Sequence, residues 1–482
     1  MKDQKSSLNP SLELSAEEMQ RIGYQVVDMM VEHFKTIRDQ APVKKLDWKE
    51  MDRLIQEPIP EQSTPMDEIL RHVQDDIFKN SAMTTHPRFY SFVPSPNNFI
   101  SALADGLASA YNVFSGAWVS SPAAAKLEMV TVNWMLKLFG FPVREGGGLF
   151  VSGGSAANLM GLSIARKQKL NNQLKGAVVY YPDQTHSSVD KALSVLGFAA
   201  EQIRRLPCDD DFKLSLSALE NAIKEDLANG LKPFCVIGNA GTTNTGTVDP
   251  LYKMSSLCRQ YGLWMHVDAA YGGGGILCEQ GRHALNGIEL ADSITVDPHK
   301  WFFQPYEIGC LLVRNHQLMN NTFQMLPEYL RDLEGTSEEP NFYDYGIQLT
   351  RGFRALKFYM SIKAFGLASF RAAVEHGVQL AETVEDKLRQ DSNWEIISPA
   401  QLAVINFRYN PRELSLNETQ IDELNQYLSQ RIHEDSYAML ATTILKNKKT
   451  LRMCLINPRT TREDIDETFS RLETYAQDYL KK

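Results

Sequence analysis

The chain of 482 residues is 43% hydrophobic and 23% charged, with a formal net charge of −9. Its length supports two or three domains, and its negative charge argues against nucleic acid or an anionic membrane surface as the main partner. The six cysteines show no CxxC pair or metal-finger spacing, and no apolar run has the length of a signal-peptide core or a membrane span. We therefore predict a cytoplasmic protein with reduced thiols.

The first 87 residues predict helices without strands. The residues from Ser15 to Glu18 have the pattern of a capping box, and apolar residues then recur at helical spacing from Met19 to Phe34. Segments 46–56 and 66–79 are also predicted to be helical, with prolines between them. Because these helices have no sheet of their own to cover, we expect them to pack on the rest of the chain or on a second subunit.

Two aromatic stretches without clean periodicity follow, at residues 86–96 and 110–118. Each of them is open to two interpretations. It is either a structural connection or the wall of a pocket for a flat, apolar ligand. From residue 122 onward the pattern predicts helix again.

From about residue 149, strand and helix patterns alternate. The predicted strands are residues 178–181, 234–238, 263–267, 293–296 and 309–313, and the predicted helices are residues 156–171, 187–197, 215–229 and 250–261. This alternation predicts an α/β domain with a mainly parallel sheet covered by helices on both faces. Ligands of such sheets gather at the carboxyl ends of the strands.

A glycine-rich turn at residues 150–158 joins an apolar strand to a helix. Gly153 and Gly154 allow backbone N–H groups to approach an anion, and Ser155 adds a hydroxyl near the helix N-terminus, whose dipole favours negative charge. The turn therefore predicts a phosphate cradle, although it is neither a P-loop nor a dinucleotide fingerprint. The alternative is a tight strand-to-helix turn that binds nothing.

Two polar residues lie at the ends of later strands. His186 follows the predicted strand 178–181, where its imidazole could stack on a planar ring or, equally well, cap the next helix. Asp268 follows an apolar strand, where a buried carboxylate is costly unless it pairs with a positive charge such as a protonated pyridine nitrogen. The alternative role of Asp268 is to cap the next turn.

Lys300 ends the stretch 294–301, in which an apolar strand runs into Asp-Pro-His-Lys-Trp. Desolvation favours the neutral amine, which forms Schiff bases, whereas a lysine that snorkels to solvent is the alternative for this residue alone. A phosphate cradle, a ring-stacking His186, a nitrogen-pairing Asp268 and a neutral Lys300 form one coherent set. Together they predict pyridoxal 5′-phosphate (PLP) held as a Schiff base on Lys300.

The remainder of the chain departs from this alternation. Residues 326–345 are polar and turn-rich, which predicts a mobile loop or lid, and residues 347–390 predict a long helix. Predicted strands at 395–397, 403–409, 441–445 and 450–454, with two further helices, indicate a small α+β domain.

The sequence resembles the group II PLP-dependent amino-acid decarboxylases, which act on aromatic amino acids, histidine and glutamate. The motifs that carry the resemblance are HPRF at 86–89, SGGSAAN at 152–158, DQTHSS at 183–188, GTTNTG at 241–246, HVDAAYG at 266–272 and DPHKW at 297–301. The similarity spans about residues 15 to 470 and is strongest to the bacterial tryptophan or general aromatic amino-acid decarboxylases.

The resemblance implies a fold-type I architecture, like that of aspartate aminotransferase, in a homodimer with its active site at the subunit interface. It implies a helical segment 1–87 that embraces the partner, a large PLP-binding domain 88–378 and a small domain 379–482.

It also implies a role for each site residue. Lys300 carries the cofactor, Asp268 pairs with its ring nitrogen, and His186 stacks on the ring and helps to hold the substrate carboxylate. The remaining cofactor contacts implied are the phosphate ligands Gly154, Ser155 and His299, with Thr243 beside the ring. The substrate side-chain pocket implied is formed by Phe89 with the partner subunit's Phe114 and Trp118.

The implied reaction is decarboxylation of an aromatic L-amino acid to an arylalkylamine and CO₂. In plant and animal relatives a tyrosine on the mobile loop protonates Cα, and Phe342 occupies that position here, with Tyr343 next to it. In some plant relatives a phenylalanine there accompanies oxidative deamination to an aldehyde, hydrogen peroxide and ammonia. Decarboxylation with Tyr343 as donor and aldehyde formation both stay open. A silent PLP-binding homologue would lack Lys300, Asp268 or His186, and all three are present.

Overall fold

The structure is a computed structural model. It describes residues 12–44, 47–325, 336 and 338–481. Residues 326–335 and 337, most of the predicted mobile loop, lie outside this range. The last part of that loop is described, and there Phe342–Tyr345 forms a buried turn of 3-10 helix.

The N-terminal helices are α1 (Ala16–Thr36), α2 (Trp48–Ile55) and α3 (Met66–His72). The Ser15 hydroxyl accepts the N–H of Glu18, so the predicted helix start is confirmed. The reciprocal half of the capping box is not formed, because the Glu18 carboxylate accepts from Arg21 instead. Within the described chain none of the three helices has a buried residue. Their apolar faces are therefore uncovered in the single subunit.

Helices α4 (Phe99–Tyr111) and α5 (Pro122–Leu138) connect this segment to the sheet. The sequence predicted α5 but not α4, which lies between the two aromatic stretches. Asn98 caps α4 by accepting the N–H of Ser101, and Pro122 occupies the first turn of α5, where its missing N–H costs nothing.

A seven-stranded sheet forms the centre of the molecule. Its strands are β1 (Gly147–Val151), β2 (Ala177–Pro182), β3 (Ile203–Leu206), β4 (Lys232–Asn239), β5 (Trp264–Asp268), β6 (Ser293–Val296) and β7 (Gly309–Val313), in the spatial order β1-β7-β6-β5-β4-β2-β3. Strand β7 runs antiparallel to both of its neighbours, and the other pairs are parallel. The mainly parallel sheet is confirmed. The sequence missed the edge strand β3, whose central residues are Arg204 and Arg205.

Helices cover both faces of the sheet, as predicted. They are α6 (Gly154–Leu170), α7 (Ser187–Val195), α8 (Leu216–Ala228), α9 (Leu251–Tyr261), α10 (Glu279–Ala284) and α11 (Gln317–Phe323). Successive residues of β2 alternate between two apolar clusters, with Val178 and Tyr180 in one and Val179 and Tyr181 in the other. This two-sided burial explains why the central strands read as continuous apolar runs.

The C-terminal part begins with the long helix α12 (Ala355–Gln390), which is interrupted at Gly366, where φ is +71°. The other elements are β8 (Trp394–Gln401), β9 (Val404–Tyr409), β10 (Ala441–Leu445), β11 (Lys448–Cys454), α13 (Glu418–Glu434) and α14 (Arg462–Leu480). The four strands form an antiparallel sheet in the order β10-β11-β9-β8. The predicted boundary between residues 378 and 379 falls inside α12. Among the described helices none combines the length and apolar character needed to cross a membrane.

Candidate active site

A cavity of about 380 Å³ lies at the carboxyl edge of the parallel strands. The strands β1, β2, β4, β5 and β6 all end there, as expected for ligand sites of α/β sheets. Its walls include every residue that the sequence assigned to cofactor binding: Gly154, Ser155, His186, Thr243, Asp268, His299 and Lys300. These residues come from five separate segments, and the fold brings all of them together.

The glycine-rich turn forms one end of the cavity. Gly153 is the N-cap of α6, and no side chain caps the first turn of that helix. A Cβ atom on Gly154 would lie 2.9 Å from Asp297 Oδ2, so a side chain at that position would fill the cradle. A Cβ atom on Gly309 would lie 2.5 Å from the Cα of Gly153, so β7 also approaches the turn closely. An open helix N-terminus lined by glycine suits a phosphate group.

His186 caps the next helix, which is one of the two roles that the sequence left open. It is the N-cap of α7, where its Nδ1 accepts the N–H of Ser188 at 3.2 Å. The same side chain forms part of the cavity wall. Helix capping therefore fixes the imidazole at the site.

Asp268 is the last residue of β5 and is 7% exposed. Its Oδ1 accepts the N–H of Ala270 at 3.1 Å, and its Oδ2 accepts a hydrogen bond from Asn158 Nδ2 at 2.9 Å. Both donors are neutral amide groups, which hold the carboxylate without neutralising its charge. A protonated ring nitrogen in the cavity would supply the missing positive charge.

Lys300 contacts a carboxylate that the sequence analysis did not assign to the site. Its Nζ lies 3.0 Å from Asp297 Oδ2, and the other oxygen of Asp297 is buried without a hydrogen-bond partner in the described residues. His299 lies beside this pair, and its Nδ1–H donates a hydrogen bond to the carbonyl of Ile308 at 2.7 Å. Burial lowers the pKa of His299, so its imidazole is neutral at pH 7.

Four residues assigned to the substrate lie outside this cavity wall within the described subunit: Phe89, Phe114, Trp118 and Tyr343. Phe89 is buried and pairs through its backbone with Met439.

The other three lie near one another. The N–H of Tyr343 donates to the carbonyl of Gly116 at 3.1 Å, so Tyr343 lies against the segment that contains Phe114 and Trp118. Phe114 lines a second depression, of about 590 Å³, and Glu307 is common to its wall and to that of the first cavity. We refer to Phe114, Trp118 and Tyr343, which lie on these two adjoining segments, as the aromatic group.

A buried ion pair connects that aromatic group to the sheet. Arg351 Nη2 lies 2.6 Å from Glu128 Oε1, and both side chains are almost fully buried. Arg351 also donates to the carbonyl of Phe150 and lies over the ring of Phe342 at 5.1 Å. The N–H of Phe150 donates to Glu128. This pair therefore holds the end of β1 and the turn containing Tyr343 in one arrangement.

Sequence reasoning missed Asp297, Asn158 and Ser188 as members of the site. Asp297 and Ser188 lie inside motifs that were recognised for a neighbouring residue. For Asn158 a signal existed, because residues four apart on a helix share a face, and Asn158 follows Gly154 by four. The amide therefore lies on the side of α6 that carries the cradle.

Comparison with known proteins agrees with this geometry. Residues 49–410 match the pyridoxal-dependent decarboxylase conserved domain. The chain belongs to the pyridoxal-dependent decarboxylases. The family and the PLP cofactor predicted from the sequence are confirmed.

Individual relatives match this decarboxylase over nearly its whole length. It is 46% identical to an aromatic-L-amino-acid decarboxylase of Bacillus atrophaeus, over 98% of each chain. It is 30% identical to a phenylacetaldehyde synthase of Petunia hybrida, over 96% of this chain and 95% of the relative. The crystal structure of Oryza sativa TDC with PLP and tryptamine superposes with a TM-score of 0.92 at 26% identity, covering 98% of this chain and 100% of that one. The fold-type I architecture is confirmed.

The residues present fit the cofactor. The N-terminus of α6 has no side-chain cap, which suits a phosphate, and the buried Asp268 carboxylate suits a cationic ring nitrogen. Lys300 provides a primary amine in the same cavity. When bound, PLP supplies an electron sink for the pair released from the Cα–carboxylate bond.

Proposed function

We propose that this decarboxylase converts aromatic L-amino acids, such as tryptophan, phenylalanine and tyrosine, to the corresponding arylalkylamines and CO₂. The observation that carries the proposal is the convergence of Lys300, Asp268 and His186 on one cavity. The 46% identity to an aromatic-L-amino-acid decarboxylase supports the substrate class. Tryptamine, bound in the Oryza sativa structure, is an amine of the proposed product type.

Each side chain has a distinct role in this proposal. Lys300 would hold the cofactor covalently through its side-chain amine. Asp268 keeps a proton on the ring nitrogen, because a buried carboxylate favours a cation beside it. His186 stacks on the ring and holds the substrate carboxylate, while Gly154, Ser155 and His299 hold the phosphate and Thr243 lies beside the ring. Phe89 contributes to the side-chain pocket.

The preference for an aromatic substrate is supported by the contacts of Arg88. Arg88 is the one arginine in the aromatic stretches 86–96 and 110–118, so it is the side chain there that could meet a second substrate carboxylate. Its Nε donates to the carbonyl of Tyr437, its Nη2 donates to the carbonyl of Arg38, and its guanidinium lies 4.5 Å from the Tyr437 ring centre. Arg88 is therefore engaged in holding the fold together, and an acidic substrate such as glutamate lacks this counter-charge.

We also propose a homodimer. Helices α1 to α3 expose apolar side chains that a single soluble subunit would cover, among them Met19, Val26, Trp48 and Ile55. A partner subunit packed on this face would bury them, and residues 1–87 would then embrace it, beside a large domain 88–378 and a small domain 379–482. The six free cysteines support a cytoplasmic location.

In the proposed dimer, the aromatic group, which lies outside the cavity of its own subunit, would contribute to the partner's active site. In this proposal the partner subunit's Phe114 and Trp118 complete the substrate pocket, and Tyr343 accompanies them because it is hydrogen-bonded to Gly116. Burial raises the pKa of Tyr343, so its hydroxyl is protonated and can deliver a proton to Cα.

A second candidate activity is aromatic acetaldehyde synthesis. Two observations favour it: Phe342 stands at the position aligned with the catalytic tyrosine, and a phenylacetaldehyde synthase shares 30% identity with the chain. In that case one amino acid would react with one dioxygen and one water to give the aldehyde, CO₂, ammonia and hydrogen peroxide.

The substrate class is tested by kinetics on the PLP-loaded protein. The proposal predicts kcat/KM for L-tryptophan, L-phenylalanine or L-tyrosine at least about a hundredfold above that for L-glutamate, since one unpaired buried charge costs several kcal/mol. Comparable values for L-glutamate would refute the aromatic assignment.

Subunit association is tested by analytical ultracentrifugation. A double variant, Met19→Glu with Val26→Glu, places charge on the apolar face of α1 and is expected to raise the dimer dissociation constant. Gln20→Glu is the control, because it adds one negative charge at an exposed polar position on that helix. A monomeric wild-type protein would contradict the proposed assembly.

A further inference from the structure

A chain of buried hydrogen bonds runs beneath the cavity from Trp264 to Asp268. The indole N–H of Trp264 donates to Ser293 Oγ at 2.9 Å, and Ser293 Oγ lies 2.7 Å from His266 Nδ1. His266 Nε2 lies 3.0 Å from Asn158 Oδ1, and Asn158 Nδ2 lies 2.9 Å from Asp268 Oδ2. Ser293, His266 and Asn158 are completely buried.

The groups at the two ends of this network determine which atom donates in each of its hydrogen bonds. An indole can only donate, so Ser293 accepts from Trp264 and gives its own proton to His266 Nδ1. Burial lowers the pKa of His266 to about 4, so the ring is neutral and its single proton lies on Nε2, facing Asn158. At the other end a carboxylate can only accept, so Asn158 presents its amide nitrogen to Asp268. Both ends of the network therefore require the same orientation of the Asn158 amide.

A branch of the network reaches the ring-stacking histidine. Asn158 Nδ2 also donates to Ser188 Oγ at 3.0 Å, and Ser188 Oγ lies 2.9 Å from His186 Nδ1. The backbone N–H of Ser188 donates to the same Nδ1. Because Nδ1 accepts, the proton of a neutral His186 lies on Nε2.

The His266 ring is closely packed against α6, and Thr295 Oγ1 lies 3.5 Å from its Nε2. A Cβ atom on Gly161 would lie 2.7 Å from His266 Cε1 and 2.9 Å from its Nδ1, so the imidazole packs directly on the backbone of α6. Gly161 and Asn158 are three residues apart on that helix and therefore share the face that meets β5.

We infer that Asn158 is a positioning residue that fixes the Asp268 carboxylate and, through the Ser188 hydroxyl, supports the Nε2–H tautomer of His186, with Trp264, Ser293 and His266 setting its orientation. This inference rests on the roles proposed above for Asp268 and His186. One amide on α6 therefore links Asp268 and His186, the two side chains that are proposed to interact with the cofactor ring. His186 then presents an N–H donor, which suits a substrate carboxylate.

Cofactor affinity of the apoenzyme tests the inference without relying on turnover. Asn158→Leu keeps the branched shape and the number of side-chain heavy atoms, and it removes the hydrogen bonds that Asn158 donates to Asp268 and Ser188. Since a hydrogen bond to a charged group contributes about 1.5–3 kcal/mol, the Kd for PLP is expected to rise about tenfold to a hundredfold. The absorbance of the bound cofactor should shift as well, because its ring nitrogen loses a fixed partner. An unchanged Kd and spectrum would overturn the inference.

Two further variants separate positioning from general destabilisation. His266→Gln retains an amide N–H near the position of Nε2, whereas His266→Leu offers none. We expect His266→Gln to restore most of the PLP affinity that His266→Leu loses. This pair decides the question if Asn158→Leu does not fold, and equal losses in both would contradict the inference. The matched control is Asn425→Leu, because Asn425 is buried, makes three hydrogen bonds and lies in the C-terminal part. It should lower stability and leave the Kd for PLP unchanged.

Asp268→Asn distinguishes failure of this inference from failure of the proposed function. If Asp268→Asn weakens PLP binding and turnover while Asn158→Leu does not, the positioning role of Asn158 is wrong and the site assignment stands. If Asp268→Asn has no effect on either measurement, the proposed role of Asp268 is itself wrong.

Discussion

Lys300 and Asp297 form an ion pair inside the candidate active site, with 3.0 Å between Nζ and Oδ2. Asp297 is 3% exposed, and it also borders the glycine turn that forms the phosphate cradle. The amine that must attack the cofactor is thus held by a carboxylate next to the expected position of the phosphate dianion. The carboxylate attracts the lysine and repels the phosphate.

This relationship predicts that Asp297→Asn accelerates and tightens PLP capture. Asparagine is similar in size but carries no charge, so it releases Lys300 and removes the repulsion. An effect on the order of 1 kcal/mol corresponds to roughly a fivefold change. Stopped-flow absorbance after mixing apoenzyme with PLP measures the rate, and a titration gives the Kd. Slower and weaker capture would indicate that Asp297 instead contributes to holding the cofactor.

Tyr343→Phe tests the proton donor. If the hydroxyl delivers the proton to Cα, amine formation should fall by about a hundredfold or more, as for the loss of a general acid. Aldehyde and hydrogen peroxide are expected to rise as a share of the products. Tyr345→Phe is the matched control, since Tyr345 lies in the same buried turn. If Tyr343→Phe and Tyr345→Phe both keep the wild-type amine rate, another group protonates Cα.

The buried pair of Arg351 and Glu128 predicts a large effect on stability. Arg351→Met leaves the Glu128 carboxylate buried without its counter-charge, which costs about 3–5 kcal/mol in the free energy of unfolding. The double change with Glu128→Gln should recover part of that loss. Denaturant unfolding at fixed protein concentration measures both.

The comparison for this prediction is Lys387→Met, which breaks the exposed pair of Lys387 and Asp466. A solvent-exposed pair contributes less than about 1 kcal/mol. Equal losses of stability in Arg351→Met and Lys387→Met would show that burial does not govern the strength of these pairs.

The central sheet could be predicted from the sequence because its strands are buried on both faces. The predicted bounds of β6 and β7 agree with the structure, and both strands are continuous apolar runs. Strand β3 carries Arg204 and Arg205 at the sheet edge, where charged residues are tolerated, and so its pattern did not indicate a strand.

Site residues could be predicted from the sequence where a reactive or charged side chain lies at or just after the end of a strand. Lys300, Asp268 and His186 all do so. The contacts of Asn158 were not predictable, because its partners His266 and Asp268 are more than a hundred residues away in the chain and meet it only through the packing of α6 on β5. In the proposed dimer the aromatic group would act through a second subunit, for which a single sequence gives only the exposed apolar helices.

The most direct test of the proposed function is the product balance of PLP-loaded protein with L-tryptophan. CO₂, tryptamine and hydrogen peroxide are measured in the same reaction. We expect equal amounts of CO₂ and tryptamine, no peroxide, and no turnover by Lys300→Ala. Aldehyde with stoichiometric peroxide, or turnover that persists in Lys300→Ala, would contradict this account.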